Sequence, residues 1–237
     1  MIGDNLAHIR AAVREAALRC GRNPDAIKIV AVSKHVAAAR LIEAQVHGQT
    51  IFGENYLQEA AGKINQLHGP LEWHFIGHLQ SNKAATAAEL FQVIQTVDRL
   101  KIAAALNQHA GRLGKTLDVL VQVNVGREAQ KSGVLPEDAA GLLRELRLLV
   151  HLRVRGLMTM PPLGREPEES RPWFRSLKQL SLQLTEEGLF YDNSAVELSM
   201  GLSGDFTVAI EEGATMIRIG TAIFGERPKY PTHDVVI

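Results

Sequence analysis

Lys34 follows directly on IVAVS (29–33), four apolar residues and a serine. A lysine at the end of a dry strand loses solvation, which lowers its pKa and frees the neutral amine to attack a carbonyl carbon. A solvated lysine opening a loop is the other reading that these residues allow. A second group lies in ELSMGLSGDFTVAIEEGATMIRIGTAIFG (197–225). Ser199, Gly201, Ser203 and Gly204 make a small-residue loop ahead of a helical pattern that starts near Asp205. Unpaired N–H groups at a helix start suit a phosphate. Gly220-Thr221 offers further amides and a hydroxyl, and Arg218 lies two residues earlier on the same strand face. Two ordinary tight turns and an interior arginine with an acidic partner would leave the same pattern.

These residues need a scaffold that gathers strand ends. Strand-like runs recur at 27–33, 50–55, 72–78, 91–97, 118–125, 151–160, 195–201 and 214–221. Helix-like stretches separate them at 37–47, 55–67, 82–89, 98–113, 136–149, 169–187 and 204–212. Regular alternation of this kind means parallel strands joined by right-handed crossovers. Eight units in 237 residues point to a single closed (β/α)8 barrel, the TIM-type arrangement, taking in 1–237, with an open doubly wound sheet as the alternative. Ahead of the first strand, Leu6, Ile9, Val13, Ala17 and Cys20 mark one face of a helix over about 5–20. Asp4 or Asn5 is expected to cap it, Gly21 to stop it, and Cys20 to be a buried hydrophobe.

In such a barrel the site collects at the C-terminal strand ends. Those ends carry Ser33-Lys34, Glu54-Asn55, Gly77-His78, Asp98, Asn124, Met158-Thr159, Ser199, and Arg218 with Gly220-Thr221. The stretch 160–172 reads as a long loop after the sixth strand. Glu54 reads as charge on the barrel rim, and His74 as a core or helix-capping histidine. Lys131 could approach a phosphate or stay solvated.

Composition narrows the partners. With 26 basic and 26 acidic side chains the formal charge is zero, against a broad footprint for nucleic acid or anionic membrane. No apolar run approaches the roughly 18 residues of a membrane span, and the start MIGDNLAHIR has no signal-peptide character. One cysteine makes no internal disulfide, and no paired ligand spacing suggests a metal. A soluble cytoplasmic protein is expected.

Taken in order, AVSKH, IFGENYLQE, WHFIGHLQSNK, VQVNVGREAQKSG, RGLMTMPP and LSMGLSGDFTVAIEEGATMIRIGTAIFG closely resemble the pyridoxal phosphate homeostasis protein family. The resemblance runs over nearly the whole chain. It implies a barrel like the N-terminal domain of alanine racemases, with pyridoxal 5'-phosphate (PLP) held as a Schiff base on Lys34. By the same resemblance Ser199, Gly220 and Thr221 hold the phosphate, with amides around Met200 and Gly201. Arg218 faces the pyridine nitrogen, and Asn55 and His78 line the pocket near the ring. Leu202 departs from the family's frequent methionine, a near-isosteric change.

The implied function is a non-catalytic carrier and buffer of the cofactor, influencing amino-acid and keto-acid metabolism and meeting PLP-dependent apo-enzymes transiently. An arginine on the pyridine nitrogen disfavours its protonation and makes the ring a poorer electron sink. Related racemases draw a second base, a tyrosine, from a further domain. Tyr56, Tyr191 and Tyr230 are the tyrosines here; Tyr56 could lie near the mouth, but it opens a helix and has no evident reason to face the cofactor. A monomer is expected. A small PLP-dependent racemase, or a phosphate-sugar enzyme using Lys34, is the competing reading.

Overall fold

A computed structural model describes residues 1–162, 164 and 166–226. Eight parallel strands close in sequence order, each paired with the next and the last with the first. They are β1 (Lys28–Val32), β2 (Ile51–Glu54), β3 (Glu72–Phe75), β4 (Val93–Val97), β5 (Leu117–Gln122), β6 (Leu152–Met158), β7 (Glu197–Ser199) and β8 (Met216–Ile219). The outer layer begins with α1 (Ile2–Arg19), α2 (Ala38–Val46), α3 (Leu57–Ile64) and α4 (Ala84–Leu90). It continues through α5 (Leu100–Arg112), α6 (Ala139–Leu146), α7 (Arg171–Glu186), α8 (Phe206–Glu211) and the single turn α9 (Thr221–Phe224). The closed barrel displaces the open-sheet alternative.

Strand parity sorts the core into two compartments. Ala31, Phe52, Trp73, Phe75, Ile94, Val119 and Ile217 turn outward and join the main hydrophobic cluster with the helix faces. Val30, Leu120, Met158 and Met216 form a smaller cluster of their own, with Ile51 against it. Gly53 shares this crowded space: a methyl group there would meet Val30 Cγ1 at 2.8 Å.

Two details of the first helix differ from the sequence expectation. It begins at Ile2, so Asp4 lies inside the first turn and Asn5 reaches away to donate to the Ile223 carbonyl at 2.9 Å. Cys20 is exposed, because it follows the last helical residue with φ −105° and leaves the buried stripe set by Leu6, Ile9, Val13 and Ala17. Gly21 stops the helix as expected, at φ 70°. Of the 160–172 stretch, Leu163 and Arg165 lie outside the described residues, as does Tyr230. No described helix is long and apolar enough to cross a membrane.

Candidate functional site

A cavity of about 250 Å³ opens at the C-terminal ends of the strands. Its lining brings together Lys34, Asn55, Arg218, Gly220 and Thr221, five of the nine residues that the family resemblance assigns to the cofactor. Val32 and Ile76 give it an apolar wall, while Leu202, Ser203 and Gly204 approach from the loop after β7.

That loop turns on Gly201, at φ 93°. A methyl group there would come within 2.6 Å of Ala209 Cβ on α8, so both the backbone angle and the packing require glycine. Beyond the turn Ser203 reaches across to the end of β8. Its Oγ accepts from the Gly220 and Ala222 backbone N–H groups, both at 3.4 Å. Bonds of that length are weak, and a stronger acceptor can replace the hydroxyl. Two amides converging beside a positive side chain suit a phosphate.

Arg218 is 2% exposed. Its Nη1 donates to Ser199 Oγ at 2.6 Å and its Nη2 to the Thr159 carbonyl at 2.8 Å. Burial pushes its pKa down to about 10, which leaves it charged at neutral pH. Ser199 and Met200 are buried, Ser199 with its hydroxyl donating to Gln95 Oε1 at 2.7 Å. Ser199, Met200 and Gly201 thus lie beneath the cavity's lining, where Ser199 orients Arg218. Ser203 occupies the lining position instead. The sequence carried that signal, since SMGLSGD holds two serines, but only the backbone reversal at Gly201 decides which one faces the cavity.

Behind Ser199 a buried chain crosses the barrel. Gln95 Nε2 donates to His74 Nδ1 at 2.7 Å, and His74 Nε2 donates to Glu72 Oε1 at 2.5 Å. The hydrogen bond from His74 holds the Glu72 carboxyl below the usual carboxylate range. His74 is therefore a core hydrogen-bonding histidine.

On the other side, Lys34 lies in the turn after β1 and is partly buried. Asn55 Oδ1 is buried without a hydrogen-bond partner among the described residues, an acceptor left for a ligand or water. The close approach of strands here depends on Gly77, where a methyl group would stand 2.2 Å from the Asn55 carbonyl oxygen. His78 is exposed and donates to or accepts from Ser132 Oγ at 3.0 Å. It lines a neighbouring cavity of about 580 Å³ that shares Asn55 with the first.

Glu54 is not rim charge. It shares the outward parity of Phe52, which directs its carboxylate into the layer between barrel and α3, where it is fully buried. It accepts from Ser33 Oγ at 2.7 Å and from Lys63 Nζ at 2.6 Å, and burial raises its pKa against these two donors. Lys131 donates to the Pro161 carbonyl at 2.8 Å and pairs with Glu128, joining the loops after β5 and β6.

The donor set fits PLP: an amine at the mouth, two weakly engaged amides for the phosphate, and a fixed guanidinium in the same lining. Comparison with known proteins agrees. The family model for the alanine racemase N-terminal domain matches residues 5–228. The pyridoxal phosphate homeostasis protein of Pseudomonas aeruginosa PAO1 is 47% identical over 227 residues, covering 95% of this chain and 96% of that one. Its counterpart in Escherichia coli K12 is 42% identical over 230 residues, covering 95% and 97%. PipY of Synechococcus elongatus PCC7942, solved without and with PLP bound, superposes with TM-scores of 0.85 and 0.82. It is 36% identical, over 95% of this chain and 100% of PipY. By sequence and by fold, the chain belongs to the pyridoxal phosphate homeostasis protein family, built on the alanine racemase N-terminal domain.

Proposed function

We propose that this chain binds pyridoxal 5'-phosphate through Lys34 and serves as a non-catalytic carrier and buffer of the cofactor inside the cell. The observation that carries this is the single cavity joining Lys34 to Arg218 and to the Gly220–Ser203 cradle. PipY binds PLP on the same fold at 36% identity, and the relatives above are named for cofactor homeostasis rather than for a reaction.

When bound to an amine, PLP supplies an electron sink for chemistry at the α-carbon of amino acids. The residues of this chain bind it more convincingly than they exploit it. Lys34 supplies the attaching amine. Gly220, Thr221 and the loop at Ser203 and Gly204 take the phosphate, with Met200 and Gly201 shaping that loop from below. Arg218, held by Ser199, donates to the pyridine nitrogen, and Asn55 contacts the ring's edge. His78 flanks the entrance.

Among the described lining residues, Lys34 and Arg218 are the ones with ionisable side chains. A two-base proton transfer needs another group at the α-carbon. Tyr56 is 51% exposed, its ring 5.3 Å from His35, and it lines the neighbouring cavity. Tyr191 is 64% exposed beside Arg153 and Arg155 of β6. Loading and release from an open mouth suit this lining better than stereospecific catalysis does.

Residues 1–237 act as one cytoplasmic unit, a monomer that hands PLP transiently to apo-enzymes. The test is exchange of the α-proton of alanine in deuterated water by PLP-loaded protein. A carrier shows no Lys34-dependent exchange, whereas catalytic washout that disappears in Lys34→Ala would make the protein an enzyme.

A further inference from the structure

Glu59 and Lys63 of α3 stand four residues apart, hence on one helix face, turned toward the segment that carries Lys34. Lys63 is 6% exposed and donates to three acceptors. These are the Ser33 carbonyl at 2.6 Å, Glu54 Oε1 at 2.6 Å and Glu59 Oε1 at 2.7 Å. Glu59 Oε1 also accepts the backbone N–H of His35 at 2.5 Å. The chain is therefore gripped on the residue before Lys34 and on the residue after it.

The gripped segment is a strained turn. Val36 N–H closes it onto the Ser33 carbonyl at 3.0 Å, and His35 sits at φ 60°. A side chain bearing a Cβ occupies that left-handed region at an energetic cost, so neighbouring contacts must hold it there. Glu54 completes the arrangement by taking the Ser33 hydroxyl and the Lys63 ammonium on one oxygen. Buried ion pairs add little net stability compared with apolar packing of the same volume. Their advantage is direction, because each bond fixes a particular backbone atom.

We propose that Glu59 and Lys63, seated by Glu54, are positioning residues that lock the Lys34 turn and thereby set how long the chain retains PLP. This rests on the cofactor role proposed above and adds what governs release: loosening the turn from the α3 side frees the amine's backbone without touching the phosphate cradle.

The test uses full-length protein and PLP itself. Glu59→Ala removes the acceptor for the His35 N–H. Lys63→Met combined with Glu54→Gln removes the grip on Ser33 while leaving no buried charge uncompensated, which guards against a variant that fails to fold. Amide hydrogen exchange at His35 is measured without cofactor, and PLP dissociation is followed in the visible spectrum. The lock predicts that Glu59→Ala raises both the exchange and the dissociation rate about tenfold, the scale of one lost hydrogen bond. The melting temperature should shift little. Glu59→Gln, whose side-chain oxygen still accepts the His35 N–H, should fall close to wild type. Unchanged exchange at His35 would overturn the lock while leaving PLP binding intact. Faster exchange with wild-type dissociation would overturn its control of retention. Wild-type protein that takes up no PLP would instead overturn the cofactor role, and with it any control of retention.

Discussion

The two walls of the cavity are held by different physics. On the β7–β8 side, Arg218 is fixed from inside the barrel by a file of largely uncharged groups, Ser199, Gln95 and His74, ending at Glu72. On the β1–β2 side, the Lys34 turn is fixed from outside the barrel by the charges of Glu54, Glu59 and Lys63. The first wall grips groups that need not move as cofactor comes and goes. The second grips a backbone turn at its flanks and leaves the reactive side chain its reach. The proposed carrier role uses both: a fixed cradle for phosphate, and an amine whose hold is adjustable.

The sharpest way to break the fixed wall is Arg218→Met. It leaves Ser199 Oγ and the Thr159 carbonyl without their buried donor, at a cost of about 3 kcal/mol. Denaturant unfolding should show that loss, and PLP titration should show affinity falling more than tenfold. Gln95→Leu cuts the same file one step back, leaving the Ser199 O–H without its acceptor and His74 Nδ1 without its donor. A loss of about 2 kcal/mol is expected by the same measurement, with a weaker effect on affinity because Arg218 keeps its bond to Thr159. If Gln95→Leu matched Arg218→Met in affinity, the file would be carrying Arg218 by itself.

Gly201→Ala tests the phosphate loop, placing a methyl group against Ala209 at φ 93°. Thermal unfolding should fall by an amount equivalent to about 1–3 kcal/mol. Free phosphate, used as a competitor, should then displace PLP less effectively than in wild type.

The smallest effect concerns the brace behind that loop. Arg171 lowers the pKa of Glu211 with help from Arg19, and Arg175 lowers that of Glu212 with help from Arg171. Depressed carboxylates contribute stability that is present above the ordinary value near 4.5 and is lost as pH falls through their folded values. Glu211→Gln with Glu212→Gln should therefore flatten the fall in stability as pH drops below about 4.5, by less than about 2 kcal/mol because these groups are partly screened. An unchanged acid limb would detach this cluster from stability.

Most of the barrel is legible in the sequence because buried parallel strands read as continuous apolar runs bounded by helical periodicity. The same signal places Lys34, Asn55 and Arg218 at strand ends. What escapes is whatever depends on a single residue of parity or a backbone reversal. Glu54 follows Phe52 onto the outward face, but its partner Lys63 is nine residues on, and only the rotation of α3 brings it in. Ser199 and Ser203 are four residues apart, with the reversal at Gly201 between them. Cys20 continues the helical spacing on paper, yet the helix has already ended at Arg19.

Attachment of PLP to Lys34 can be read from the near-visible spectrum of PLP-loaded protein before and after borohydride, with peptide mapping of the reduced product and Lys34→Ala alongside. Wild type should show a yellow band that is lost on reduction and a cofactor mass added to the peptide bearing Lys34, and the variant should show neither band nor added mass. A colourless protein that refuses added PLP, or a label carried by another lysine such as Lys83 or Lys131, would rule out Lys34 as the anchor.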